Sequence, residues 1–133
     1  MAVHKFKPGE SITFTAGGTI TDGQLVTVSA DRTVIAGTAA NGAKAIGSAA
    51  TDASSGDEVL VLLGGVQRLI AASDITAGAL VVAADDGKVA AVAAVTTPTA
   101  GDVNSTRALI GIALTSVDVS EVVDDRVEVR LFR

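Results

Sequence analysis

The chain has 133 residues, a net charge of −5, no cysteine and only 2% aromatic residues. This length suits one well-packed domain, and the lack of cysteine excludes disulfides, thiolate catalysis and Cys-ligated zinc. The negative charge disfavours nucleic acid as a partner. The longest apolar runs, such as residues 89–95, fall far short of the roughly 20 residues that cross a bilayer, so we expect no membrane partner.

The composition predicts a thin hydrophobic core. Hydrophobic residues make up 48% of the chain, but the only large rings are Phe6, Phe14 and Phe132. An aromatic side chain buries roughly 150–250 Å², and the Val, Ile, Leu and Ala that must fill this core each bury less. We therefore expect the domain to gain stability from association with a partner.

Residues 1–9 are predicted to form an extended N-terminal arm, followed by a single β domain over residues 10–133. Pro8 disfavours helix at the residue before it, and with Gly9 it marks a turn. The arm mixes apolar and basic side chains, namely Val3, His4, Lys5, Phe6 and Lys7. A plain disordered tail would more often lack the apolar pair.

Pairs of similar β-type segments indicate two pseudo-duplicated halves, residues 20–62 and 75–131. Residues 20–28 are echoed 55 positions later, from Ile20 to Ile75. Further along, residues 45–49 are echoed by 109–113, and residues 58–62 by 126–131. Each half therefore has the same succession of strands and glycine-containing turns.

Strands are predicted from β-branched content and from Gly and Asp punctuation. They are expected at residues 11–15, 24–29, 33–36, 44–50, 58–63, 66–70, 79–84, 88–92, 108–115 and 126–132. Strands that recur about every ten residues are typical of a sandwich or barrel. The predicted fold is all-β: a compact β-sandwich or barrel-like domain with pseudo-duplicated halves, an extended N-terminal arm and little helix.

Turns and irregular segments are predicted from the remaining residues. Asp31-Arg32-Thr33 and Asp86-Gly87 are expected to form hairpin turns, the second more readily because Gly accepts positive φ. Gly64-Gly65 is expected to form a bend or bulge between two strands. Residues 96–106 have no counterpart in the first half and are predicted to be an inserted surface loop. Residues 117–123 are a candidate short helix.

The sequence contains few groups that could carry out catalysis. His4 is the only histidine and lies in the arm, where no neighbour fixes its tautomer. A pair of Lys44 and Ser48 is conceivable, but spacing alone is a weak signal. Acidic doublets occur at Asp57-Glu58, Asp85-Asp86 and Asp124-Asp125. Neighbouring residues on a strand point to opposite faces, and Asp is common in turns, so we expect no catalytic residue, metal site or cofactor.

Short motifs occur in a fixed order over nearly the whole chain. They are Pro8-Gly9-Glu10, Ile12-Thr13-Phe14-Thr15-Ala16, Asp22-Gly23-Gln24-Leu25-Val26, Ser55-Gly56-Asp57-Glu58-Val59, Gly65-Val66, Ala77-Gly78-Ala79-Leu80-Val81, Asp86-Gly87-Lys88-Val89, Ile110-Gly111-Ile112-Ala113 and Val127-Glu128-Val129-Arg130-Leu131. In this order they resemble the head decoration, or capsid cement, proteins of tailed bacteriophages.

The resemblance implies a structural virion protein that binds and stabilises the outside of a phage capsid. It implies the major capsid protein as partner, a homotrimer on the shell, and location on the outer capsid surface after synthesis in the host cytoplasm. It also implies that the arm contacts the capsid, through Val3, His4, Lys5, Phe6, Lys7 and Pro8. This function requires no active site, so the protein is not expected to be an enzyme.

Two other functions remain open at this point. A β module of a phage tail, baseplate or adhesin that binds a receptor or glycan would have the same β content, and residues 96–106 could form its binding loop. The location of the protein in the particle distinguishes this alternative. A small metal-dependent or Ser-based hydrolase would depend only on the acidic doublets and scattered serines.

Overall fold

The computed structural model describes residues 8–92, 109–120 and 125–132. Nine strands and two short 3-10 turns lie in these ranges. The strands are β1 Pro8–Ala16, β2 Leu25–Ala30, β3 Thr33–Ala36, β4 Ala45–Ala49, β5 Glu58–Ile70, β6 Leu80–Ala83, β7 Val89–Ala91, β8 Leu109–Ala113 and β9 Arg126–Leu131. The turns are Gly42–Lys44 and Asp85–Gly87.

The first half of the chain closes into a five-stranded barrel. Its strands follow the order β1-β3-β2-β4-β5, and β5 pairs back to β1. Neighbours are antiparallel except β1 and β3, which are parallel where Ala16 lies opposite Val34. Closure satisfies the backbone groups that the edge strands of an open sheet would leave unpaired. The all-β, barrel-like prediction is confirmed.

The second half repeats this arrangement. Residues 66–70 of β5 pair with β9, and the sheet continues through β8 and β6 to β7. Ala71, directly after β5, forms a parallel bridge with Val89 of β7. These two residues lie 55 positions after Ala16 and Val34, so the parallel contact between β1 and β3 recurs in the second half, where it joins β7 to the end of β5. We call this second half, with residues 66–70 of β5, the second barrel.

Backbone hydrogen bonds recur at equivalent positions of the two halves. The N–H of Gly23 donates to the carbonyl of Ala49 at 2.9 Å, and the N–H of Gly78 donates to that of Ala113 at 2.8 Å. Both glycines have positive φ, 88° and 91°, a conformation that glycine adopts without the steric strain of a Cβ. The two halves therefore share individual backbone hydrogen bonds at positions that the internal repeat relates.

One strand belongs to both barrels. Two strands with a bend between them were predicted, whereas β5 is a single strand of 13 residues. Its glycines Gly64 and Gly65 have positive φ, 63° and 68°, so the bend lies inside the strand. The amide of Gln67 donates to the carbonyls of Leu62 at 2.7 Å and Gly64 at 2.9 Å, which fixes the change of direction.

Aliphatic side chains form two core clusters. The first contains Ala16, Ile20, Val26, Val34, Ala49, Ala53, Val59 and Val61. The second contains Leu69, Ala71, Ile75, Val81, Ala83, Val89, Ile110, Ala113, Val117, Val127, Val129 and Leu131, and it also takes in Leu25 and Ala45 from the first barrel. The second barrel therefore packs against an outer face of the first.

Polar contacts join the same two faces. The N–H of Gly87 donates to the carbonyl of Gly37 at 2.8 Å, and the Gln24 amide donates to the carbonyl of Asp86 at 2.9 Å. The N–H of Ala39 donates to the Asp85 carboxylate at 3.1 Å. The Asp85–Gly87 turn is thus bound to the first barrel by three separate hydrogen bonds.

The turn predictions have mixed outcomes. Asp86 and Gly87 both have positive φ, 60° and 67°, as the predicted hairpin turn requires. The predicted helix at residues 117–123 is wrong over residues 117–120. There Val117 forms an isolated bridge with Ile75, and the Asp118 carboxylate accepts the N–H of Ser120 at 2.9 Å. Residues 121–124 and the predicted loop 96–106 lie outside the described residues.

Two glycines allow strands to approach more closely than any larger residue would. A Cβ on Gly47 would lie 1.9 Å from the carbonyl oxygen of Leu62, and one on Gly111 would lie 2.1 Å from that of Arg130. These positions are equivalent in the two halves. The backbone would have to move to admit a methyl group at either one.

We expect Gly47→Ala to lower the free energy of unfolding by about 3 kcal/mol or more, because overpacking against backbone displaces a strand. Gly18→Ala is the matched control, since a Cβ there meets no atom within 4 Å. Urea unfolding of the two variants measures the difference. Equal midpoints for Gly47→Ala and the wild type would contradict the close approach.

Candidate functional site

The structure does not bring the candidate nucleophile and base together in an accessible site. Ser48 lies on β4, only 3% exposed, between Leu25 and Leu62 of the neighbouring strands. Lys44 is exposed at the end of the Gly42–Lys44 turn. His4 lies outside the described residues. A substrate would have no access to the Ser48 hydroxyl.

The acidic doublets hold turns and join strands. The Asp57 carboxylate accepts the N–H of Ser54 at 3.2 Å, and the Asp85 carboxylate accepts that of Ala39. The carbonyl of Asp125 accepts the N–H of Ala71 at 2.7 Å, while Asp124 lies outside the described residues. Over residues 8–92, 109–120 and 125–132, no group of three or more His, Cys, Asp or Glu could hold a metal ion.

The described part of the chain has no helix that is long and apolar enough to cross a membrane.

An apolar ridge lies on the outer side of β5. The burial of this strand alternates, so that Val59 and Val61 fill the first core while Leu60 and Leu62 point outward. Leu60 is 37% exposed and Leu62 is 38% exposed. We call these two residues the Leu60–Leu62 ridge. Exposed leucines two apart on one strand present a continuous apolar contact.

The ridge lies beside the strand that follows the predicted arm. Ser11 of β1 is paired with Leu62, and Thr13 is paired with Leu60. Both hydroxyl residues are exposed, and they share a sheet face with the leucines because paired residues point to the same side. Sequence reasoning missed this ridge, because residues 59–63 are an unbroken apolar run that does not show which side chains face outward.

Pro8 is the only member of the predicted capsid-contacting set within the described residues. Its backbone begins β1, where it is paired with Gly65 at the bend of β5. Gly9, the last residue of the predicted arm, also lies in β1. Val3, His4, Lys5, Phe6 and Lys7 lie outside the described residues. The chain therefore enters the barrel at the junction between the two halves.

A second surface feature is an acidic turn after β8. The pKa of Asp118 lies below its usual value because its carboxylate accepts hydrogen bonds from the Ser120 hydroxyl and from the Ser120 backbone N–H. Hydrogen bonds of this kind favour the charged form. The Asp74 carboxylate accepts the N–H of Val119 at 2.9 Å. Both carboxylates therefore hold this turn while remaining exposed to solvent.

The fold and surface define an all-β structural protein of two joined barrels with an exposed apolar ridge. The phage cement protein family model matches residues 6–131, and the chain therefore belongs to the phage cement protein family. The resemblance read from the ordered motifs is confirmed. The protein is a capsid-associated structural protein of a phage.

A solved structure has the same fold. The chain is similar to the head fiber gp8.5 N base of bacteriophage phi29, with a TM-score of 0.63, 19% identity and 92% of each chain covered. No curated protein matches the chain. At 19% identity, the similarity to the head fiber base shows that the two proteins share an arrangement of strands.

We expect Ser120→Ala to raise the pKa of Asp118 towards its ordinary value without reaching it, because the backbone N–H of Ser120 remains as a donor. An NMR titration of the Asp118 carboxyl group measures this change. Ser116→Ala is the control, since its hydroxyl accepts the N–H of Ala77 at 2.9 Å. An equal shift in both variants would contradict the assigned cause.

The same pKa gives the sign of a pH effect on folding. A carboxyl whose pKa is lowered in the folded state stabilises that state above its ordinary pKa. Its contribution disappears as the pH falls through the lowered value. Protonation of Asp118 in acid should therefore weaken this turn, whereas the turn should keep its full stability at neutral pH.

Proposed function

We propose that the protein binds the outer surface of a phage head and stabilises the assembled shell through contacts with the major capsid protein. The family match over residues 6–131 is the observation that carries this proposal. The contacts that we assign are the N-terminal arm and the Leu60–Leu62 ridge. The geometry supports their joint use, because β1 is paired with β5 next to both leucines.

The arm has the side chains for a mixed apolar and electrostatic contact. Val3 and Phe6 can bury apolar surface, and His4, Lys5 and Lys7 can face acidic groups of the capsid. The charges contribute mainly to encounter and specificity, and the apolar pair contributes to affinity. Pro8 then fixes the direction in which the arm leaves the barrel, because its ring locks φ.

The two-barrel body is suited to holding neighbouring subunits together. Because β5 belongs to both barrels, they cannot move apart without breaking a strand. A protein that binds only the assembled shell stabilises that state by mass action. Many identical copies of a modest contact then add up over the shell.

We also propose how the protein assembles and where it is located. The protein acts as a homotrimer on the outer capsid surface of the virion, after synthesis in the host cytoplasm. It needs no cofactor and catalyses no reaction. A domain with only 2% aromatic residues gains additional burial from such a trimer.

We expect deletion of residues 2–7 to abolish binding to undecorated heads while leaving the barrels folded, because β1 begins at Pro8. Occupancy is measured by mixing the protein with heads and imaging the particles, and folding is checked by urea unfolding. The resistance of the heads to heat should fall with occupancy. Full occupancy by the truncated protein would refute the role of the arm.

We expect the double variant Leu60→Glu, Leu62→Glu to raise the half-saturating concentration on heads by at least about 100-fold, because two charges would be buried without partners. Leu114→Glu is the matched control, since Leu114 is 45% exposed and lies in the second barrel. Near-native binding by the ridge variant would show that the ridge is not part of the contact with the head. Density on the tail in place of the head would contradict the function itself.

A further inference from the structure

The segment between β3 and β4 contains the only Asn-Gly pair of the chain, Asn41-Gly42. Asparagine before glycine is especially open to spontaneous deamidation, because glycine has no Cβ to hinder attack by its backbone nitrogen on the asparagine side chain. In the folded protein Asn41 is half-buried, directly before the Gly42–Lys44 turn, and Gly42 is buried. A chemically reactive pair therefore lies in an ordered part of the structure.

The reaction needs only groups of this chain and water. The backbone nitrogen of Gly42 attacks the Cγ carbon of Asn41, so that a C–N bond forms and closes a five-membered imide. The side-chain nitrogen of Asn41 leaves as ammonia and takes the proton that the Gly42 nitrogen loses. Water then adds to either imide carbonyl, and the ring opens to aspartate or to isoaspartate.

Reciprocal hydrogen bonds hold the asparagine side chain away from this path. The side-chain carbonyl of Asn41 accepts the N–H of Thr38 at 2.7 Å, and the Thr38 hydroxyl accepts the N–H of Asn41 at 3.3 Å. We call these two bonds the Thr38–Asn41 clasp. Bonds of this local kind fix a side chain against neighbouring backbone, so the Asn41 amide is not free to turn towards Gly42.

The backbone at Asn41 is also rotated away from the geometry of ring closure. Its ψ is 17°, which nearly eclipses the Gly42 nitrogen with the nitrogen of Asn41 itself. The imide needs the Gly42 nitrogen nearly eclipsed with the Asn41 Cβ, because both atoms belong to the five-membered ring. The rotation between the two would move the Asn41 carbonyl from the N–H of Lys44, which it accepts at 2.9 Å. Reaction therefore requires a local opening of this segment.

We propose that Asn41 is a site of spontaneous deamidation that the Thr38–Asn41 clasp holds unreactive in the folded protein. The sequence supplies the reactive pair, and the fold removes the two conditions that the reaction needs, a mobile side-chain amide and a suitable ψ. Conversion then follows the opening of this one segment. The inference does not rest on the proposed function, because it concerns chemistry within the chain.

Deamidation at this site would act on the contact between the two barrels. The carbonyl of Gly37 accepts the N–H of Gly87 at 2.8 Å, and the N–H of Ala39 donates to the Asp85 carboxylate at 3.1 Å. Thr38 lies between these two contacts, and the clasp sets its position. Isoaspartate would lengthen the backbone by a methylene group and displace this segment. The converted protein should therefore hold its second barrel less firmly.

Peptide mass spectrometry tests the site, because replacing an amide by an acid changes the mass of the peptide that contains Asn41. Folded protein and protein unfolded in guanidinium chloride are incubated at the same mildly alkaline pH and the same temperature. We expect conversion of Asn41 in guanidinium, and conversion at least about tenfold slower in the folded protein. Equal rates would overturn the protection by the fold. No conversion in guanidinium would overturn the site itself.

Thr38→Val tests the clasp, because it removes the hydroxyl that accepts the Asn41 N–H and keeps a similar side-chain volume. We expect the folded variant to convert at least about threefold faster than the wild type, as the loss of one hydrogen bond predicts, with no change of rate in guanidinium. Thr33→Val is the matched control, since the Thr33 hydroxyl donates instead to the carbonyl of Asp31 at 3.0 Å. An unchanged rate in Thr38→Val, or an equal increase in both variants, would overturn the role of the clasp.

The effect on the barrels is measured on converted protein, which ion exchange separates by its additional negative charge. We expect its unfolding midpoint in urea to be lower than that of unconverted protein from the same sample. Equal midpoints would show that position 41 does not affect the contact between the barrels.

Discussion

Strand β5 belongs to both barrels, and the arrangement of the two halves follows from this shared strand. Its first part closes the first barrel, and its last part opens the second. The change of direction needs positive φ at Gly64 and Gly65, and the Gln67 amide satisfies the carbonyls of Leu62 and Gly64 there. These hydrogen bonds fix the direction of β5 where it passes from the first barrel to the second.

The sequence was informative where local chemistry decides structure. Strand period, and glycines such as Gly23 and Gly78 at turns that need positive φ, predicted most strands and the duplication. The sequence predicted a sandwich or barrel but not which strands pair to close it, because the parallel contact of Ala16 with Val34 joins residues that no short pattern relates. The predicted helix is wrong over residues 117–120 because Asp118 caps a local turn, an alternative that Asp and Ser offer the backbone.

The candidate site could be predicted only in part from the sequence, for a similar reason. The arm is predicted from a mixture of basic and apolar residues and stays a prediction, whereas Leu60 was correctly predicted to lie in a strand. Whether a strand residue faces the core or the solvent follows from period 2. Whether its outer face is then covered depends on the neighbouring barrel. Leu25 and Leu80 occupy equivalent positions, yet they are 0% and 42% exposed.

The face of the first barrel that the second barrel covers carries small residues for a physical reason. The internal contact is tethered by β5, so its partners meet at a high effective concentration. Small residues such as Gly37 and Ala45 are sufficient there, because little association entropy must be offset.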